Sequence, residues 1–222
     1  GLDELGPFKP EERIIEYMLA NKADSKLISM SLSDFADETA SESPAPGGGS
    51  ISAYIGSLGV SLATMVANLS SHKKGWDERW EEFSNWAEKG ELYKTELLRL
   101  VDADTKAFNQ ILQAFGLPKA NEEEKKARSK AIQDATRFAI EIPFKVMQTA
   151  YNSMEVIKAM ASIGNPNSVS DAGVGALCAR SAVMGAFMNV RINTGDYEDK
   201  NFVADIIAKG KIIESNTIAL EA

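Results

Sequence analysis

Apolar positions recur at three- and four-residue intervals almost throughout the chain, and two-residue alternation bounded by turn signals is nearly absent. The pattern predicts an all-α protein. Short helices are expected at Pro10 to Ala20 and at Ser31 to Ala40, the second opened by Ser31 or Ser33 as N-cap. Pro44, Pro46 and the glycines Gly47, Gly48 and Gly49 then break the chain. From Ser50 to Ser71 the apolar residues Ile51, Tyr54, Ile55, Leu58, Val60, Leu62, Met65, Val66 and Leu69 surround the helix axis, which predicts a central helix covered on most sides. A longer stripe runs from Asp77 to Phe115 through Trp80, Phe83, Ala87, Leu97, Val101, Phe108, Ile111 and Phe115, with Gly90 as a point of break or bend.

Asn121 can cap the next helix, whose first turn is Glu122, Glu123 and Glu124, the acidic end that the helix dipole favours. That helix should run to about Ala161, kinked at Pro143. "GNPNS" at Gly164 to Ser168 is a tight turn, a buried helix follows to Asn193, and Glu198 to Ala222 is the last. Five to six long helices with short links predict an up-and-down bundle. The most apolar stretch, Val174 to Val190, carries Arg180 and Asn189 and falls short of a membrane span, so no membrane partner is expected. Residues 1–30 read as a linker-like segment with a short helix, and residues 31–222 as one helical domain.

Composition narrows the functional classes. With 24 Lys and Arg against 32 Asp and Glu the net charge is -8, a poor footprint for nucleic acid. Any anionic ligand needs a local basic cluster. One cysteine, Cys178, and one histidine, His72, exclude an intramolecular disulfide and make a His/Cys metal centre unexpected. A reducing, cytoplasmic location fits that usage. The first residues show no basic run followed by an apolar one, so no secretory leader is expected. A start on Gly1 fits a processed or excised piece.

Four features carry candidate chemistry. In "LLRLVDADTKAFNQIL", Asp104 falls within the stripe Leu97, Val101, Phe108, Ile111 and Phe115, whereas Asp102 lies on nearly the opposite face and should be solvated. An inward carboxylate must be paired, hydrogen-bonded or protonated, so Asp104 is either a structural acid or a catalytic one with a raised pKa. The helix after "GNPNS" lines up Asp171, Gly175, Cys178, Ala182, Gly185, Asn189 and Asn193 on one face. Its small residues, like Ala53, Gly56, Ser57, Gly59 and Ala63 of the Ser50 helix, suit close packing of the two helices or a dimer seam. Asp171 can serve as part of a Ser168-x-x-Asp171 capping box; Asn189 and Asn193 lack so simple a structural role. In "SSHKKG", His72, Lys73 and Lys74 end a helix where cations suit the dipole. "PAPGGGS" lacks the Lys-Ser/Thr ending of a P-loop and follows no strand.

Taken together and in order, "SPAPGGGSISAYIGSLGVSLATMVANLS", Lys73-Lys74, "DADTKAF", "EIPFKV" and "GNPNSVSDAGVGA...NVRIN" resemble the formimidoyltetrahydrofolate cyclodeaminase family, which includes methenyltetrahydrofolate cyclohydrolases. "LDELGPFKPEERIIEYML" further looks like the tail joining a formiminotransferase domain to its cyclodeaminase partner. The resemblance implies a helical bundle that dimerises, with a folate site near the subunit boundary and no tightly bound cofactor. It implies attack of N10 of 5-formimidoyltetrahydrofolate on the formimidoyl carbon, loss of ammonia and formation of 5,10-methenyltetrahydrofolate. Asp104 matches the family's acid and is expected to handle the protons. Gly47, Gly48 and Gly49 would bring helix N–H groups to the ligand, Asp171, Asn189 and Asn193 would position its ring, and Lys73 and Lys74 would receive a glutamate or polyglutamate tail. At that corner relatives commonly carry a Thr-x-Gly-Lys type ending, where this sequence has Ser70-Ser71-His72-Lys73. The alternatives are a cyclohydrolase, which never handles ammonia, and a non-catalytic folate-binding or oligomerisation module.

Overall fold

The structure is a computed structural model that describes residues 27–222. The expected Pro10 to Ala20 helix and nearly all of the linker-like segment lie outside the described residues. Six helices and no strand make up the described residues: α1 (Leu32–Ala40), α2 (Gly48–Ser71), α3 (Trp80–Phe115), α4 (Glu122–Ile163), α5 (Val169–Asn193) and α6 (Lys200–Glu221). Short 3-10 turns, Asp77–Arg79 and Pro166–Ser168, lead into α3 and α5.

Local chemistry sets the helix starts. Ser31 accepts from the Asp34 N–H at 3.1 Å and opens α1. Asn121 accepts from the Glu124 N–H at 2.8 Å, while the Glu124 carboxylate reaches back to the Ala120 N–H at 2.7 Å, so the α4 start is closed from both sides. The expected capping box of α5 does not form: Ser168 makes no side-chain cap bond, because Asn165 instead caps the 3-10 turn that includes Ser168.

Helices α2 to α5 run alternately up and down. Ser50 meets Asp104 and Thr64 meets Gly90, which makes α2 and α3 antiparallel. Tyr93 bonds Glu155 and Arg128 bonds the Phe115 carbonyl, which does the same for α3 and α4. Phe187 packs on Gly210 and Arg180 pairs with Glu221, laying α6 antiparallel on α5. Gly90 neither breaks nor ends α3; its missing Cβ instead lets α2 come close, since a Cβ there would lie 2.1 Å from Thr64 Oγ1.

Helix α2 is central, packed on α3, α4 and α5, and its small residues decide how closely. A Cβ on Gly59 would lie 2.8 Å from the Gly175 carbonyl oxygen, and one on Gly56 would lie 3.1 Å from Ala182. The small-residue faces therefore meet each other. One core end gathers Leu97, Leu100, Ile140, Met147 and Phe187, the other Val66, Phe83, Met154 and Met160. Each such side chain contributes about 1.5–3 kcal/mol by leaving water.

Coverage of α2 is less complete than its sequence suggests, since Leu58, Met65 and Leu69 form an exposed strip. By length and composition, Gly48–Ser71 and Pro166–Asn193 could each cross a membrane, which corrects the reading of the second as too short; 61% of the α2 window is buried in the fold. The stripe of α3 also loses its cover toward Phe108 and Phe115, because α3 extends past the start of α2 at that end.

Candidate active site

That end of the bundle holds a small cleft of about 130 Å³, lined by the turn before α2, by Asp104, Thr105, Phe108 and Ile111 of α3, by Ala139 of α4 and by Asn189 and Asn193 of α5. It adjoins a larger one of about 760 Å³ through shared Pro44, Ala45 and Thr105. A cleft of that size takes a whole small-molecule ligand. The Ala45-Pro46 peptide is cis.

Helix α2 begins without help from its own sequence: Gly47 offers no capping side chain and the first turn holds no acid. Asp104 supplies both from the neighbouring helix. Its carboxylate accepts from the Ser50 backbone N–H, and Ser50 Oγ lies 3.0 Å from its Oδ2. The same hydroxyl lies 3.2 Å from the Val101 carbonyl, and its one proton serves either acceptor. Burial pushes the Asp104 pKa above the ordinary carboxylate value, against the opposing pull of both Ser50 bonds.

Two of the three glycines are set by what flanks them. A Cβ on Gly49 would lie 2.1 Å from Asp104 Oδ1, and one on Gly48 would lie 3.3 Å from Asn189 Nδ2. Gly47 is under no such pressure, since its Cβ would meet only the Pro44 carbonyl at 4.0 Å. Asn189 donates to the Gly185 carbonyl at 2.9 Å, and Asn193 donates to the Ala139 carbonyl at 2.7 Å. Both amides thus spend a nitrogen donor on backbone while lining the cleft. The pocket is a carboxyl, helix N–H groups, amide groups and an apolar wall, a set able to trade protons with a flat, nitrogen-rich ring.

Of the residues expected at the site, Gly47, Gly48, Gly49, Asp104, Asn189 and Asn193 come together here. Lys73, Lys74 and Asp171 do not line it. The lysines follow α2, whose 24 residues put them about 36 Å along the axis. Lys73 Nζ lies 3.9 Å from the centre of the Trp76 ring, a cation–π contact. Asp171 lies in the first turn of α5, at the end opposite Asn189 and Asn193. Asp102 is not simply solvated: it accepts from the Leu27 N–H at 3.2 Å, and partial burial raises its pKa. No group of three or more His, Cys, Asp or Glu suited to a metal occurs among the described residues.

A family profile for formiminotransferase-cyclodeaminase matches residues 31–211. The chain belongs to the formiminotransferase-cyclodeaminase family. It is 36% identical over 203 residues to the formimidoyltransferase-cyclodeaminase of Mus musculus, covering 91% of this chain and 38% of that protein. It is 34% identical over 171 residues to the methenyltetrahydrofolate cyclohydrolase of Methylorubrum extorquens, covering 77% of this chain and 82% of that protein. The crystal structure of formiminotetrahydrofolate cyclodeaminase from Thermotoga maritima superposes with a TM-score of 0.75 at 25% identity, covering 88% of this chain and 96% of that one. This member of the formiminotransferase-cyclodeaminase family therefore spans little more than a third of the length of its mouse relative. Ser50 and Thr105 support or line the cleft without having been expected there, and Phe108, expected only as part of the apolar stripe of α3, lines it too.

Proposed function

We propose that this chain closes 5-formimidoyltetrahydrofolate to 5,10-methenyltetrahydrofolate and releases ammonia. The observation that carries the reading is Asp104, a carboxyl with a raised pKa facing a cleft at a helix N-terminus. In the proposed reaction Asp104 starts protonated. As N10 attacks the formimidoyl carbon, Asp104 gives its proton to the imino nitrogen. Its carboxylate then takes the N10 proton and passes it to the same nitrogen, which leaves as ammonia. The proton of Asp104, that of N10 and the one already on the imino nitrogen make up the three hydrogens of ammonia. The methenyl cation forms as a folate-nitrogen lone pair replaces the broken bond, and the Asp104 carboxylate opposes its charge. Ser50 and the positive end of α2 support the carboxylate at that stage.

In this proposal Phe108 lies along the ring, and Arg99 and Lys106, which line the adjoining cleft, receive the glutamate carboxylates. Lys73 and Lys74 could add to a polyglutamate site only from a second subunit. The exposed strip of Leu58, Met65 and Leu69 supports a homodimer, and a fused or separate formiminotransferase would supply the substrate. No tightly bound cofactor is needed, and a cytoplasmic location fits.

A cyclohydrolase is the second reading, favoured by the match over 82% of the Methylorubrum protein. Adding the protein to 5-formimidoyltetrahydrofolate while following ammonia and the methenyl chromophore separates the two. Equal yields of both products support the cyclodeaminase. Turnover of methenyltetrahydrofolate alone supports the cyclohydrolase, and binding without turnover overturns both.

A further inference from the structure

The stretch "EIPFKV" sets Pro143 inside the 42-residue helix α4. A proline there has no N–H for the carbonyl four residues back, and its ring crowds that carbonyl away from the helix axis. The carbonyl is that of Ala139, a buried residue on the wall of the small cleft. A buried carbonyl without a donor is unfavourable, so the position needs a partner from elsewhere. Asn193 of α5 provides it, with Nδ2 at 2.7 Å from the Ala139 oxygen.

We propose that Pro143 is a positioning residue for the cleft: by withholding its N–H it reserves the Ala139 carbonyl for Asn193, fixing the amide with its oxygen free for a ring N–H donor. The bond fixes the Asn193 amide in a way rotamer preference alone does not, since an asparagine amide otherwise turns broadly about its last torsion. With one of its two N–H donors held by backbone and the amide plane thereby fixed, Asn193 keeps its oxygen, the one acceptor of the group, for a ligand. Asn189 repeats the arrangement on its own helix through Gly185. Two side-chain amides lining one cleft, each with a nitrogen anchored on backbone, suit the amino and ring N–H groups of a reduced pterin. Naming that donor rests on the folate reading; the role of Pro143 in holding Asn193 does not.

The test is a double-mutant cycle in kcat and KM with Pro143→Ala, Asn193→Ala and the double variant. Restoring the N–H with Pro143→Ala closes the α4 ladder and makes Asn193 compete with it for the Ala139 carbonyl. Expected is a KM about five- to tenfold higher with kcat nearly unchanged, the scale of one hydrogen bond loosened. Thermal stability should be equal or greater, because alanine is the better helix former. In the Asn193→Ala background the same change should do nothing more. Parental kinetics for Pro143→Ala, or losses that multiply in the double variant, overturn the proposal. A second measurement needs no activity: the Asn193 side-chain amide signal of the ¹⁵N-labelled folded parent, assigned by its loss in Asn193→Ala. Hydrogen exchange slowed at least tenfold relative to exposed asparagine amides is expected, and exchange as fast as theirs overturns the assignment. If the parent is inactive on folate the functional reading falls, and the same exchange measured in Pro143→Ala then tests Pro143: faster exchange at Asn193 supports its role, and exchange unchanged from the parent overturns it.

Discussion

The Asp104 carboxylate occupies the space that a side chain on Gly49 would fill, with an ideal Cβ falling 2.1 Å from Oδ1 and 2.7 Å from Oδ2. Helix α2 can therefore present its first N–H groups to an acid from α3 only because position 49 has no side chain. Since the obstacle is a carboxyl on a packed helix, one of the two must shift.

This orders a series of alanine substitutions. Gly47→Ala should be nearly silent, Gly48→Ala should lower kcat/KM a few-fold by pressing on Asn189, and Gly49→Ala should lower it by a hundredfold or more. The overpacking at Gly49 should also cost about 1–3 kcal/mol of stability. Steady-state kinetics and thermal melts of the three variants check the order.

Ser50→Ala removes the hydroxyl 3.0 Å from Asp104 Oδ2. That bond lowers the pKa of Asp104 against the effect of burial, so its loss should raise the pKa further. The limb of the pH–rate profile that reports the protonated acid should move to higher pH, and a profile unmoved or shifted to lower pH would contradict the assignment.

The same acid should leave a mark on stability. Its folded pKa lies above its ordinary value, so the folded state holds the proton more tightly than the unfolded chain. The cost of burying the charge is fully present above the folded pKa and is relieved as pH falls through it toward about 4, the unfolded value. Asp104→Asn should thus be at least as stable as the parent at pH 7, with its advantage shrinking on acidification. Urea melts across that range read the difference directly.

Gly59 tests the close approach of α2 and α5, far from the chemistry. Its Cβ would lie 2.8 Å from the backbone oxygen of Gly175, which cannot rotate away. Gly59→Ala should destabilise by about 1–3 kcal/mol while leaving KM within twofold in the folded fraction.

Most helices could be read from the sequence because burial repeats with the helical period. Ser31 and Asn121 marked two starts correctly, and the inward position of Asp104 followed from its place among Leu97 and Val101. What escaped was contact between elements distant in sequence. Nothing near Gly49 shows that Asp104 lies against it, and nothing near Pro143 shows that Asn193 takes up the carbonyl it frees. Asp102 was misjudged for the same reason, since its partner is the Leu27 backbone 75 residues away. The Lys73-Lys74 pair, adjacent to a motif in sequence, is carried off by the length of α2.

Single-turnover mixing of 5-formimidoyltetrahydrofolate with the parent and with Asp104→Asn, following ammonia and methenyl absorbance together, tests the role of Asp104 most directly. The parent should form both products in equal amounts at one rate, and Asp104→Asn should bind the folate yet form neither at a measurable rate. Parental rates from the folded Asp104→Asn protein would contradict the proton-transfer role of that carboxyl.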